Sequence, residues 1–273
     1  MTQTSSAPVA ATPIGPLLQY WRKARNLSQL ALAHEADVSP RHICFVETGR
    51  ARPSREMVLL LAAALDVPLR ERNALLLAAG FAPVYGESSL DAPGLAVVRL
   101  ALAAILRQQE PFPAVVLNRH WDIVDANDAA KRFFTFLFAP RERPAVGNVL
   151  RLMFDPEGLR PHVQNWNDTA AVLLQRAQRE TVSGAKDPKI DELLRAILAY
   201  PGVPERLRPS HHDAPLSPVV PIRFRKDGLS FDYFSTVTTL GTPQDITAQE
   251  TRIECFFPAN EETAERARRM AAG

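Results

Sequence analysis

Between Gln29 and Arg50 the chain reads QLALAHEADVSPRHICFVETGR, and its residue types fit recognition chemistry rather than bond making. Ala33 is small where two helices would cross closely, and Asp37 stands at a turn position whose left-handed backbone Asp tolerates. Ile43 and Val46, three apart, share the inner face of a second helix. That turns Arg41, His42 and Phe45 outward from its first turns, where a helix-turn-helix laid in the major groove of double-stranded DNA meets base edges. Gln29 at a helix start, and Arg50 and Arg52 on the following loop, are set for phosphate oxygens. A helical bundle that binds nothing shares the small crossing residue, so this spacing alone leaves both readings open.

Other reactive residue types make weaker patterns. His211, His212 and Asp213 are adjacent in a Pro-rich stretch and lack the spacing of a metal site, so a solvated loop is expected and no metal. Asp122, Asp125 and Asp128 flank a strand and a helix start, where Asp128 complements the helix dipole better than it serves acid–base work. No phosphate-cradling Gly loop and no Ser/His/Asp order is present, so neither an enzyme nor a cofactor is expected. His162, Asn165 and Thr169 form a polar stripe beside Val163, Trp166 and Ala170 at helical spacing. That stripe reads either as a plain exposed helix edge or as the polar rim of an apolar pocket. Arg223 and Arg225 alternate away from Ile222 and Phe224 and should face solvent.

The elements that must position these residues follow from caps and period. Residues 1–13 are small and polar and read as a mobile arm. Five short helices follow within residues 14–80: Leu17–Arg25, one capped by Ser28, one by Ser39 with Pro40 next, one by Ser54, and one opened by Pro68 and ended by Gly80. Residues 81–94 contain Pro, Gly and Ser and mark a linker. Leu95–Gln109 is an apolar-rich helix that could bridge the two parts. Ala114–Leu117 and Trp121–Ala126 are strand-like and joined as a hairpin, and Asn127–Phe138, Arg160–Thr181 and Lys189–Tyr200 are helical. Period-two alternation then returns around Ile222/Phe224, Leu229–Thr238 and Ile253/Cys255/Phe257. The expected architecture is an all-α helix-turn-helix domain followed by an α+β domain, over 95–262, whose antiparallel sheet is covered by helices, with 263–273 as a tail.

Composition sets the outer bounds. With 273 residues, 46% hydrophobic and 23% charged, the chain has room for two cores. Its net charge of +2 is uneven, since residues 1–80 carry nine Lys/Arg against six Asp/Glu, which permits nucleic acid as a partner. The longest apolar run, Leu95–Leu106, is interrupted by Arg99 and falls short of the roughly 20 residues of a membrane span. Met1–Pro13 lacks the pattern of a secretory leader, so a cytoplasmic protein with no membrane partner is expected. Cys44 and Cys255 are the only cysteines and read as packing residues rather than a bridge.

Residues Leu17–Pro83, beginning LLQYWRKARNLSQLALAHEADVSPRHICFVETGR, closely resemble the xenobiotic-response-element (Cro/C1-type) helix-turn-helix regulators. VLNRHWDIVDANDAAKRFF, NVLRLMFDPEGLRPHVQNW and FSTVTTLGTPQDITAQETRIECFFPA resemble the MmyB-like ligand-binding domain that many of those regulators carry. Two positions depart from the pattern: Cys44, where a small polar residue is expected, and Trp166 after Asn165. The resemblance implies a transcription regulator whose PAS-like second domain holds a fatty-acid-like ligand. The pocket is expected between the helix carrying Val163 and Trp166 and the strand residues Phe231, Tyr233 and Phe257, with His162 and Asn165 nearest the ligand's polar end. A homodimer is expected, because one recognition helix reads only a few base pairs. The competing class is a protein-interaction module, antitoxin-like or an assembly partner, whose second domain is structural.

Overall fold

The structure, a computed structural model, describes residues 13–139, 147–182, 187–203 and 220–272. Nearly all of the expected arm, and the His211–His212–Asp213 stretch, lie outside the described residues. The backbone divides into two compact units, one running to Gly86 and including Gln244–Ile246, the other comprising Glu87–Pro243 and Thr247–Gly273.

The first unit is five helices, α1 (Ile14–Ala24), α2 (Gln29–Glu35), α3 (Pro40–Glu47), α4 (Arg55–Ala64) and α5 (Leu69–Ala78). The hydroxyls of Ser28, Ser39 and Ser54 accept the backbone N–H of Ala31, His42 and Met57, so three of the helices start at the expected caps. α1 starts three residues earlier than its apolar pattern, because Pro16 costs nothing in a first turn whose N–H groups have no intrahelical acceptor. Each helix ends in one residue with positive φ: Asn26, Asp37, Gly49, Asp66 and Gly80. In each case the next residue returns its N–H to the carbonyl five positions back, as Val38 does to Ala33 and Phe81 to Leu76. Asp37 has φ 52°, the left-handed turn that the sequence requires. Leu32, Ile43, Val46, Leu61 and Leu76 are fully buried in the core these helices share. Burial of each is worth about 1.5–3 kcal/mol.

The second unit carries a five-stranded antiparallel sheet in the order β2-β1-β5-β4-β3. Its strands are β1 (Ala114–Leu117), β2 (Ile123–Ala126), β3 (Val220–Lys226), β4 (Leu229–Thr239) and β5 (Arg252–Pro258). β3 and β4 are joined by Asp227–Gly228, both at positive φ, the geometry a two-residue hairpin demands. Helix α6 (Ala96–Gln108) packs Leu102 and Leu106 on Ala114, Val116, Ile253 and Cys255. The opposite sheet face is covered by α7 (Asp128–Phe138), α8 (Val149–Phe154), α9 (Trp166–Val182) and α10 (Pro188–Leu198), with Val115, Ile222, Phe224, Phe231 and Tyr233 in their shared core. The sheet is therefore covered on both faces. Lys226, at the end of β3, donates to the carbonyls of Phe136 and Leu137 and so closes the C-terminus of α7.

Three sequence expectations change. The helix expected from Arg160 starts only at Trp166, because Pro161 sits in a single 3-10 turn (Arg160–His162), after which Val163 bridges to Phe224 at the edge of β3. That edge would otherwise expose unpaired backbone groups. Phe257 lies on the α6 face, stacked on Phe234 with ring centroids 5.5 Å apart, and Phe256 takes the opposite face beside Tyr233. The described part of the tail expected over 263–273 belongs to α12 (Glu261–Ala272), a helix that follows the short α11 (Ile246–Glu250) and β5 and buries Thr263, Ala264 and Ala267.

Gly15 in α1 makes the closest approach in the first unit. A Cβ there would stand 2.4 Å from the carbonyl oxygen of Glu47 and 2.9 Å from that of Val46. Both obstacles are backbone at the end of α3. Gly15→Ala is expected to destabilise the first unit by about 1–3 kcal/mol, read as earlier thermal unfolding and faster amide exchange in α1 and α3. An unchanged melting temperature would remove the close approach as a constraint.

Candidate functional site

In the first unit the candidate surface is the outer side of α3. Arg41 is exposed, with its guanidinium 5.1 Å from the centroid of the half-buried Phe45 ring, a cation–ring contact that steadies both side chains. His42 is half-buried, and its buried Nε2 has no hydrogen-bond partner among the described residues. Arg50 and Arg52 are exposed on the loop after α3. Cys44 and Cys255 are both free thiols.

A buried network holds α3 in place. Arg22 of α1 grips the Glu47 carboxylate through two nitrogens, at 2.6 and 2.8 Å, and donates a third hydrogen bond to the carbonyl of Leu27. Gln29, the first residue of α2, donates its amide to the same carboxylate at 2.8 Å. The amide nitrogen expected at a phosphate is thus turned to Glu47. Burial pushes the Glu47 carboxyl up, but the hydrogen bonds from Arg22 and Gln29, with the charges of Arg22 and Lys23, outweigh it and hold the group below its ordinary value. Neither Arg22 nor Glu47 is legible as a pair in the sequence, since they lie 25 residues apart.

In the second unit the candidate site is a small cavity of about 30 Å³, walled by Val115, Phe133, Leu173, Ile222, Phe224 and Phe256 among others. Glu254 is the one polar side chain lining it among the described residues. It is 3% exposed, and its Oε1 accepts the Ser235 hydroxyl at 2.8 Å and stands 3.9 Å from Nη1 of Arg176. Arg176 and Arg252 each lie 4.7 Å from the ring centroid of Trp121, which is fully buried with φ 67° at the turn between β1 and β2. A bulky residue in that conformation costs about 1–3 kcal/mol, which its complete burial offsets.

The residues expected around the ligand are dispersed. Phe231 and Tyr233 do not line the cavity but pack on Phe133, which does, with ring centroids 5.2 and 5.5 Å away. Trp166 turns to Phe154 and donates its indole N–H to the carbonyl of Met153. Val163 is buried beside it in the same core and bridges to β3. Asn165 donates to the carbonyl of Pro221 and accepts the N–H of Arg223, so its amide serves the edge of β3. His162 is half-buried on the 3-10 turn, and burial followed by the charge of Lys226 lowers its pKa. Arg223 and Arg225 are exposed, as their alternation requires. Glu254 escaped notice in the sequence, although a lone acid inside the apolar run of β5 was a usable signal.

A helical unit presenting Arg41 beside Phe45 on a short helix, and a separate α+β unit with an apolar cavity, fit a two-part DNA-binding and ligand-binding protein. Residues 98–270 match the family described as MmyB-like transcription regulator ligand binding domain, and residues 18–72 match a helix-turn-helix family. The chain belongs to the MmyB-like family and is a DNA-binding transcription regulator with a ligand-binding domain. Both matched families are regulator domains rather than enzyme domains. No curated protein matches. A solved structure described as an RNA-binding light-oxygen-voltage receptor is similar at 14% identity, covering 100% of this chain and 69% of that one, but with a TM-score of 0.27 it carries no argument. Among the described residues no helix is long and apolar enough to cross a membrane.

The Glu47 network has a pH signature. A carboxyl held below its ordinary value stabilises the fold fully above that value, near pH 4.5, and the contribution is lost as pH falls through the lower folded value. Resistance of the first unit to denaturant is expected to weaken steadily below about pH 4.5, and Glu47→Gln to be less stable at neutral pH and to flatten that acid limb. An acid limb of equal steepness in the variant would assign it to other groups.

Proposed function

We propose that the protein is a cytoplasmic, ligand-responsive regulator that binds a double-stranded DNA operator as a homodimer through α3, and whose PAS-like second domain senses a small apolar, fatty-acid-like molecule. The observation that carries this reading is the pairing of an exposed Arg41 set against the half-buried Phe45 ring in one unit with an almost wholly apolar cavity in the other. Arg41, His42 and Phe45 are the base-reading set, and Arg50 and Arg52 serve phosphates. Gln29 is kept as a phosphate contact through its place at the start of α2, with its amide nitrogen already committed to Glu47. Dimerisation is argued from half-site arithmetic, since two symmetric copies double a contact set of a few base pairs. A single antiparallel sheet with helices packed over a cavity supports the PAS-like description.

For the ligand, His162, Asn165, Val163, Trp166, Phe231, Tyr233 and Phe257 were the expected contacts, and the cavity wall favours Phe133, Leu173, Phe224, Phe256 and Glu254 in their place. A cavity of about 30 Å³ has room for about two waters. A long chain must therefore displace side chains of the aromatic cluster around Phe133. Each buried methylene contributes about 0.8 kcal/mol toward that. The displacement gives the domain two arrangements, and a ligand shifts their balance only by binding them unequally.

Arg41→Ala is expected to cost about 1–3 kcal/mol on the specific site and to relax preference at one base pair. Arg50→Ala should weaken all sequences alike and reduce the salt slope by roughly one. Equal effects of both on specific and random DNA would remove the assignment. Native mass spectrometry of the full chain is expected to show a dimer carrying an apolar small molecule, and C12–C16 amphiphiles to raise its Tm. Failure of every chain length to stabilise the protein would leave only the DNA-binding part of the reading.

A further inference from the structure

Glu254 is the exception in its surroundings. It sits in the middle of the central strand, opposite Val115 on one side and Val237 on the other, with 3% of its surface exposed. It faces a cavity whose other described walls, Phe133, Leu173, Phe224 and Phe256 among them, are apolar. A buried carboxylate is expensive, and for packing alone an apolar side chain of similar volume would serve this position at least as well. Among the described residues the compensation is the Ser235 hydroxyl, which donates to Oε1 at 2.8 Å, and a long ion pair with the Arg176 guanidinium at 3.9 Å. Arg176 does not line the cavity, and its guanidinium lies over the ring of Trp121. A carboxylate has about four lone-pair sites for acceptance. The cavity is thus a largely apolar one with a carboxylate acceptor in its wall.

An occupant ending in a carboxylate would bring a second carboxylate against Glu254 within a largely apolar wall that screens it poorly. An occupant ending in an N–H or O–H donor would instead complete the coordination of the buried acid. We propose that the ligand of this domain carries a hydrogen-bond-donating head group, an alcohol or an amine, that docks on Glu254 in preference to a free carboxylate. The inference rests on the reading that the cavity holds an apolar small molecule, and adds the chemistry of its head.

The test compares three probes of one chain length, dodecan-1-ol, dodecylamine and dodecanoate, on the full-length protein at pH 8, below their aggregation concentrations. Thermal shift and isothermal titration provide the readouts. The alcohol and the amine are expected to raise Tm and to bind at least about tenfold more tightly than dodecanoate. In Glu254→Gln, whose amide both donates and accepts without charge, the preference over dodecanoate should fall to within a few-fold. The comparison on the unmodified protein decides the question even where the variant does not fold. Dodecanoate binding as well as the alcohol and the amine, or better, or a preference unchanged in Glu254→Gln, overturns the head-group inference and leaves the apolar site standing. No shift with any of the three overturns both.

Discussion

β5 is paired on both edges and covered on both faces, and this one constraint organises the second unit. Between β1 and β4 it has no free backbone edge, and its residues Arg252 to Cys255 are all buried. Each side chain must therefore find a partner on whichever face the pleat assigns to it. Ile253, Cys255 and Phe257 go to the α6 face, while Glu254 and Phe256 go to the face shared with α7, α8 and α9. A charge enters such a place only with compensation, and Ser235 on β4 and Arg176 on α9 supply part of it. The cavity lies where that compensation is least complete.

The first unit faces the same problem and solves it more fully. Glu47 is buried at the end of α3, and its carboxylate accepts Arg22 through two bonds and Gln29 through a third. Breaking such a pair typically costs about 3–5 kcal/mol, a large part of the roughly 5–15 kcal/mol that holds a domain folded. The three residues come from three helices, so the network fixes the angle at which α3 presents Arg41 and Phe45. Gly15 allows α1 to approach the last carbonyls of α3 closely enough to complete it. A network deep in the bundle thus decides the orientation of residues on its surface.

Regulation on the proposed reading depends on how the two cores differ. The helical core is closed by the Ser28, Ser39 and Ser54 caps and by the Arg22–Glu47 pair. The sheet core keeps a gap beside Phe133, whose ring meets Phe224, Phe231 and Tyr233 edge-on at 5.2, 5.2 and 5.5 Å. Edge-to-face rings can be repacked at modest cost, since each pair is worth about 0.5–1.5 kcal/mol beyond its burial. Such a cluster yields to an apolar guest where a jigsaw of branched aliphatics would resist.

Local signals in the sequence determined the elements of the first unit almost completely. Ser28, Ser39 and Ser54 as caps, Asp37 in its left-handed turn and Gly80 at a helix end depend only on their near neighbours, and each does what its chemistry requires. The strands were legible by period two, as were the outward Arg223 and Arg225. Tertiary structure alone decided which face of β5 meets the cavity, because a strand buried on both sides loses the polar–apolar alternation that marks its inner face. For that reason Phe257 was expected at the pocket and Phe256 stands there. Asn165 looked like a ligand contact and instead pairs the edge of β3, since an unpaired strand edge outcompetes other uses of a nearby amide. The bonds of Glu47 to Arg22 and of Glu254 to Ser235 span 25 and 19 residues, and no local pattern encodes them. They exist because folding removes water from a charge and must replace it.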